Sequence, residues 1–333
     1  MTSELHALAD AVLLAGFTGP TLPGALRDRL AAGLGGLTLF ATNIGPPEQV
    51  RALTAQIHAA NPDAVIAVDE EGGDVTRLQW RSGSSYPGNL ALGMVDDVAL
   101  SERVGAAIGG DLARAGVDLN LAPSVDVNCE PRNPVIGVRS FGADAERVGA
   151  HAAAWIRGHQ SRGVAACAKH FPGHGATTAD SHHDLPRLEV GRALLDAREL
   201  APFRAAIAAG TRAVLTAHLV VPALDDVPAT ISRTVLTDLL RGELGFDGVV
   251  VSDALDMAAI AGSFGRRSGA VRALAAGVDA LCLGTDHHGL ADVDQVRDAV
   301  VEAVRSGALA ESRVREAGDR MRALARWSAR SRR

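Results

Sequence analysis

Lysine is all but absent from this chain. Its 33 basic residues are thirty-two arginines and a single lysine, Lys169. Where Arg holds every other basic position, the exception marks a place where a planar five-donor fork does not serve and a compact ammonium does. Aromatic residues are scarce as well, 3% of 333. The core must therefore be assembled from Ala, Val, Leu and Ile, a composition suited to helices packed closely on a parallel sheet. Only three cysteines occur, Cys129, Cys167 and Cys282. An odd count at wide spacing argues against a disulfide framework and for a reducing compartment. No apolar run reaches the ~18 residues needed to span a bilayer. The N-terminus carries Glu4 and Asp10 where a secretory leader would be basic. An excess of positive charge is also missing: the net charge is −6, which speaks against a nucleic-acid binder. The short Arg-rich end (Arg326, Arg330, Arg332, Arg333) reads as a solvated, frayed helix terminus. These features predict a cytoplasmic monomer with no membrane or nucleic-acid partner.

What the chain does have is a regular series of short apolar runs. They fall at 11–16, 36–41, 64–68, 117–122, 164–168, 213–217, 248–252 and 278–283, each followed by polar or Gly-rich residues. Near-continuous apolarity, without strict alternation, is the pattern of parallel strands covered on both faces. Helical patterns lie between them, at 97–115, 145–161, 196–209 and 267–276, with two more at 292–305 and 311–327. Gly116, Gly163, Gly210 and Gly277 stand between helix and strand, where helix C-terminal caps are expected. Eight alternations in this length predict an α/β fold, a (β/α)8 TIM barrel, with a doubly wound open sheet as the alternative. No linker or composition shift divides residues 1–333, so a single domain is expected, closed by C-terminal helices at about 292–327.

A barrel collects its chemistry just beyond the C-terminal ends of its strands. The polar clusters of this sequence fall there. Asp69-Glu70-Glu71-Gly72-Gly73 and Arg77 follow the third run; Asp126, Asn128 and Arg139 follow the fourth. Lys169 and His170 end the fifth, leading into a loop with His174, Asp180, His182, His183 and Asp184. His218 follows the sixth run, Asp253 and Asp256 the seventh, and Asp286, His287 and His288 the eighth.

Four of the eleven histidines lie between 170 and 183. A Zn or Mn site is one reading of such a cluster. Against it, Pro172 and Gly173 separate His170 from His174 and break a helical ligand face. Acid–base chemistry on a sugar is the other. In Asp180-Ser181-His182, residues two apart in an extended segment point to one side. The carboxylate can then bond one imidazole nitrogen and leave the other to exchange a proton near neutrality. An exposed polar loop without a role would look the same. Asp253, directly at a strand end, is placed to attack an anomeric carbon. Asp at such a position also commonly caps the next helix, a role that suits Asp256 better.

The segments KHFPGHG (169–175), DSH (180–182), RSFG (139–142), DEEGG…R (69–77) and SDALDM (252–257) together resemble glycoside hydrolase family 3, and more narrowly its NagZ-type β-N-acetylglucosaminidases. The resemblance runs in order from about residue 10 to 290. It implies Asp253 as catalytic nucleophile, His182 as general acid/base and Asp180 as its partner. It implies further that Asp69, Arg77, Arg139, Lys169 and His170 bind the terminal N-acetylglucosamine, with no cofactor or metal. Three features depart from the family's pattern. Glu70 replaces an amide and Asp74 a base, which alters the charge expected near the sugar. His183 follows DSH where an apolar residue is usual, and no second domain is expected after the barrel.

The expected activity is a retaining hydrolysis of amino-sugar oligosaccharides derived from cell wall or chitin, with loop 173–179 mobile and carrying His182 over the sugar. Two alternatives stand beside it: transfer of the sugar to phosphate from the same site, and a non-catalytic sugar-binding barrel.

Overall fold

The computed structural model describes residues 2–178, 185–284 and 290–332. Each of the eight apolar runs becomes a parallel strand: β1 (Leu13–Ala15), β2 (Gly36–Leu39), β3 (Val65–Val68), β4 (Leu119–Asn120), β5 (Ala165–Phe171), β6 (Ala213–Thr216), β7 (Val249–Val251) and β8 (Leu281–Cys282). Neighbours in sequence are neighbours in the sheet, β1 pairs with β8, and a bridge from Val251 to Ala280 joins β7 to β8. The ring therefore closes, and the open-sheet alternative falls.

The continuous apolarity of the runs has two destinations. Leu14, Val65, Ala67, Leu119, Cys167, Leu215 and Val251 point into the barrel. Leu13, Ile66, Val68, Val214, Val250 and Leu281 point outward beneath the helices. With few aromatics, helices must approach one another closely. Where Val98–Ala115 crosses Ala145–Gln160, a Cβ on Gly105 would lie 2.3 Å from the Trp155 carbonyl oxygen, so only Gly fits. Asp97 and Asp144 cap these two helices through backbone N–H groups of their first turns. Gly116, Gly163, Gly210 and Gly277 all take positive φ at the helix-to-strand turns.

The helix expected at 196–209 is regular only over Leu200–Ala208, after a wider π turn at Leu195–Glu199. The last two helices are Leu290–Arg305 and Glu311–Ser331. The latter closes the N-terminal mouth of the barrel: its Met321, Leu324 and Ala325 join the interior side chains of the strands. Two of the arginines expected in a frayed end are bonded instead. Arg326 forks onto Asp63 at 2.7 and 3.0 Å. Arg332 donates to the Val117 carbonyl at 2.6 Å and to Asp118 at 2.5 Å.

The same face holds a tighter cluster. Asp279, fully buried ahead of β8, accepts from Arg241 and Arg313 at 2.6 Å each and from Arg320 at 3.2 Å. Removing one partner of a buried ion pair strands the other's charge. Asp279→Ala should therefore cost about 3–5 kcal/mol of stability, read as a lowered denaturation midpoint. The C-terminal rim lies at the other end of the barrel, so the activity of the folded fraction should be retained. Wild-type stability in this variant would show that the cluster contributes nothing to the fold.

Candidate active site

Strand alternation builds the first part of the site. Leaving β3, residues 69 and 71 share one side and residue 70 the other. Asp69 and Glu71 accordingly both reach the ammonium of Lys169, at 2.8 and 2.7 Å. Glu70 turns away, and its Oε2 accepts the backbone N–H groups of Arg77 and Leu78 at 2.8 and 2.9 Å, folding the following loop back. Burial raises its pKa despite those bonds. The acid that replaces the expected amide thus supports the loop and does not line the cavity that Asp69 and Lys169 border. Asp74 is exposed on the loop's outer side.

Lys169 reaches this point from β5, whose Cys167 already faces the barrel interior. Its side chain is 3% exposed. Burial alone would lower its pKa, but Asp69 and Glu71 outweigh that and raise it. Burial likewise works against the charged forms of both carboxylates. Lys169 and Arg77 hold Asp69 below the usual range, and Lys169 and Arg139 do the same for Glu71. Arg139 forks onto Glu71 at 2.7 and 3.1 Å. Arg77 stands 3.7 Å from Asp69.

From Arg139 the chain of contacts continues to His170. Its Nε2 lies 3.3 Å from the Arg139 guanidinium, and its Nδ1 lies 2.7 Å from Asp126. A guanidinium can only donate, so Nε2 accepts and the proton sits on Nδ1, facing the carboxylate. Asp126 is buried and also accepts the His174 N–H at 2.6 Å. Burial opposes its ionised form, but His170 and the His174 N–H hold its pKa below the usual range.

Opposite stands Asp253, directly after β7. Its Oδ1 accepts the N–H of Ala254 at 2.8 Å. The Ala254 carbonyl is in turn held by Nε2 of the buried His218, at 3.0 Å. Asp256 was expected to cap or open the next helix. It does neither: Ala258–Ala261 has Met257 at its N-terminus, and the Asp256 carboxylate accepts the Gly284 N–H at 3.0 Å, tying the β7 loop to the end of β8.

Asp69, Arg77, Arg139, Lys169, His170 and Asp253 all line one cavity of about 410 Å³ at the C-terminal mouth of the barrel. That volume lies in the range of ~300–1,000 Å³ usual for small-molecule pockets. Asp180, His182 and His183 lie outside the described residues, as do Asp184, Asp286, His287 and His288.

The loop after β5 departs from expectation in its first half. The Asn133 amide donates to the carbonyls of His174 and Thr177 at 2.8 and 3.0 Å. A Cβ on Gly175 would lie 2.1 Å from the Val127 carbonyl oxygen. Residues 173–177 are buried or nearly so and are pinned by these contacts. Glu71 and Asp126 were not singled out from sequence as sugar-site residues. The period of two would have found Glu71 beside Asp69, whereas nothing local distinguishes Asp126.

The barrel and this pocket define a concave small-molecule site of charged groups on a TIM-barrel rim. Residues 27–324 match the glycosyl hydrolase family 3 N-terminal domain. The chain is 43% identical over 274 residues to a beta-hexosaminidase of Chromobacterium violaceum, covering 80% of this chain and 75% of that one. It is 38% identical over 283 residues to beta-hexosaminidase A of Pseudoalteromonas piscicida, covering 78% of this chain but only 47% of that protein. A solved glycoside hydrolase family 3 beta-N-acetylglucosaminidase from Paenibacillus sp. str. FPU-7 superposes with a TM-score of 0.93 at 42% identity, over 98% of this chain and 62% of that one. The chain thus spans about half to three quarters of the length of these relatives. It belongs to glycosyl hydrolase family 3.

The lone lysine yields a direct test. Its ammonium bridges two carboxylates and its side chain is 3% exposed, a setting in which the bulkier planar guanidinium is not an equivalent replacement. Lys169→Arg should therefore cost about 1–3 kcal/mol through overpacking and lower kcat/KM at least tenfold. Wild-type kinetics and melting in this variant would show that charge alone is needed there.

Proposed function

We propose that this protein is a retaining β-N-acetylhexosaminidase that removes terminal non-reducing β-linked N-acetylglucosamine from cell-wall (muropeptide) or chitin-derived oligosaccharides. One observation supports this above the others: Asp253, fixed at a strand end, opens into the same cavity as the five groups proposed to hold the sugar. The relatives' names, beta-hexosaminidase and beta-N-acetylglucosaminidase, point to the same sugar class.

In this reading the Asp253 carboxylate attacks the anomeric carbon as the glycosidic bond breaks. His182, oriented by Asp180, gives its proton to the departing oxygen. Water then attacks the glycosyl ester, His182 takes the water's proton, and Asp253 is released as carboxylate. The Asp253 oxygen bonded by the Ala254 N–H is fixed, which leaves the other to form the bond. Asp69 keeps 20% of its side chain exposed and can accept from sugar hydroxyls, whereas Glu71 at 2% serves only to hold Lys169 and Arg139. Arg77, Arg139, Lys169 and His170 supply the remaining contacts. The groups named here and water suffice for both steps. We place the chain in the cytoplasm as a monomer, a location its free cysteines suit, and no helix among the described residues is long and apolar enough to cross a membrane.

Asp253→Ala should lower kcat by about a thousandfold or more, and a fluorinated sugar inactivator should add its mass to the peptide bearing residue 253. A label on any other carboxylate would reassign the nucleophile. His182→Ala should slow substrates with poor leaving groups far more than nitrophenyl glycosides, and equal losses on both would remove it as the acid. In phosphate buffer the product should remain the free sugar, and a sugar phosphate would replace hydrolysis by phosphorolysis.

A further inference from the structure

His218 is a buried polar group that the proposed reaction does not use. It lies two residues past β6, is fully buried and does not border the cavity. Its Nε2 is 3.0 Å from the Ala254 carbonyl, and its Nδ1 is 2.7 Å from the hydroxyl of Thr230, itself buried. A carbonyl only accepts. Nε2 therefore carries a proton and donates it to Ala254, whatever passes between Nδ1 and Thr230.

The segment that carries Asp253 is held firmly from the β8 side. Ser252 donates its N–H to the Ala280 carbonyl at 2.9 Å and accepts the Cys282 N–H on its Oγ at 2.9 Å. Leu255 donates its N–H to the Cys282 carbonyl at 3.0 Å, and Asp256 accepts the Gly284 N–H at 3.0 Å. From the β6 side, His218 completes the clamp. The peptide unit between Ala254 and Leu255 is thus bonded at both polar ends, its carbonyl by His218 and its N–H by Cys282. That fixes Ala254, whose own N–H holds Asp253 Oδ1 at 2.8 Å. Without the imidazole donor the Ala254 carbonyl loses its partner, and any turn of that residue to find another carries its N–H away from Asp253.

We propose that His218 is a positioning residue for the nucleophile: through the Ala254 carbonyl it sets which Asp253 oxygen is tied to the backbone and which is free to meet the anomeric carbon. The inference rests on Asp253 being the nucleophile, as read above. The groups proposed to hold the sugar come instead from the ends of β3, β4 and β5. Loss of the His218 donor should therefore impair bond formation and spare sugar affinity. A misplacement of about 1 Å at a reacting atom can cost about 100-fold in rate.

Asn and Gln separate the two ring nitrogens. The longer Gln amide can reach the Nε2 position and donate to Ala254, whereas the Asn amide reaches only the Nδ1 position and keeps the Thr230 contact. With the fluorinated sugar inactivator, H218N should show an inactivation rate constant about 10- to 100-fold below wild type. Its inhibition constant for free N-acetylglucosamine should stay within about twofold of wild type, and H218Q should recover much of the lost rate. Wild-type inactivation by H218N overturns the proposal. So does a rate in H218Q as low as in H218N, or a loss of sugar affinity equal to the loss of rate. Should H218N not fold, the imidazole ¹⁵N spectrum of the wild-type chain decides: Nε2 must carry its proton across the pH range of activity, and an unprotonated Nε2 rejects the contact. A wild-type label on a carboxylate other than Asp253 would instead remove the nucleophile reading itself.

Discussion

The site depends on one buried ammonium shared by two carboxylates. Lys169 lies between Asp69 and Glu71, and from it charge alternates outward, to Arg77 on one side and through Arg139 to His170 and Asp126 on the other. Each of these groups would be expensive to bury alone. Alternation lets all the carboxylates stay ionised, because each lies against a donor whose own desolvation it offsets. The arrangement also explains why the chain keeps a lysine here. A guanidinium presents a plane of donors, whereas here a single nitrogen lies 2.8 Å from Asp69 and 2.7 Å from Glu71.

This ladder reads out the barrel's geometry. Asp69 and Lys169 are a hundred residues apart in sequence, and they meet because β3, β4 and β5 are adjacent and in parallel register. The period of two at the end of β3 turns Asp69 and Glu71 inward and sends Glu70 into the loop behind. Three consecutive acids therefore do three different things. Asp69 remains partly exposed to the cavity, Glu70 orders a turn, and Glu71 is sealed beneath as the counter-ion of two cations.

The strands were legible because each is an uninterrupted apolar run, and a residue buried on either face needs the same chemistry. Their polar ends were legible for the converse reason. A barrel leaves nowhere else for Asp69, Lys169, His170 and Asp253 to be, and all four share one cavity. What escaped was decided by partners far away in sequence. Asp256 looks like a helix cap until β8 brings the Gly284 N–H against it. Asp126 looks like any loop aspartate until its carboxylate gathers both His170 and the His174 backbone. Loop 173–177 carries Gly173 and Gly175, a composition that reads as mobile. Asn133, on a different loop, supplies the amide that fixes it. Composition reports the freedom a segment would have alone and is silent about what is packed on it.

The two ends of the barrel solve opposite electrostatic problems. At the N-terminal face, Asp279 is enclosed by Arg241, Arg313 and Arg320, and Asp118 is held by Arg332 and His58. There the planar fork is the better cation, since it bonds a carboxylate and backbone carbonyls at once, as Arg313 does with Asp279 and Val278. At the C-terminal face the same kind of charge pairing must stop short of completion, so that Asp69, Arg77 and Arg139 retain capacity toward a ligand. Arginine serves at both ends, and the single lysine sits at the open end where one nitrogen meets two carboxylates at once.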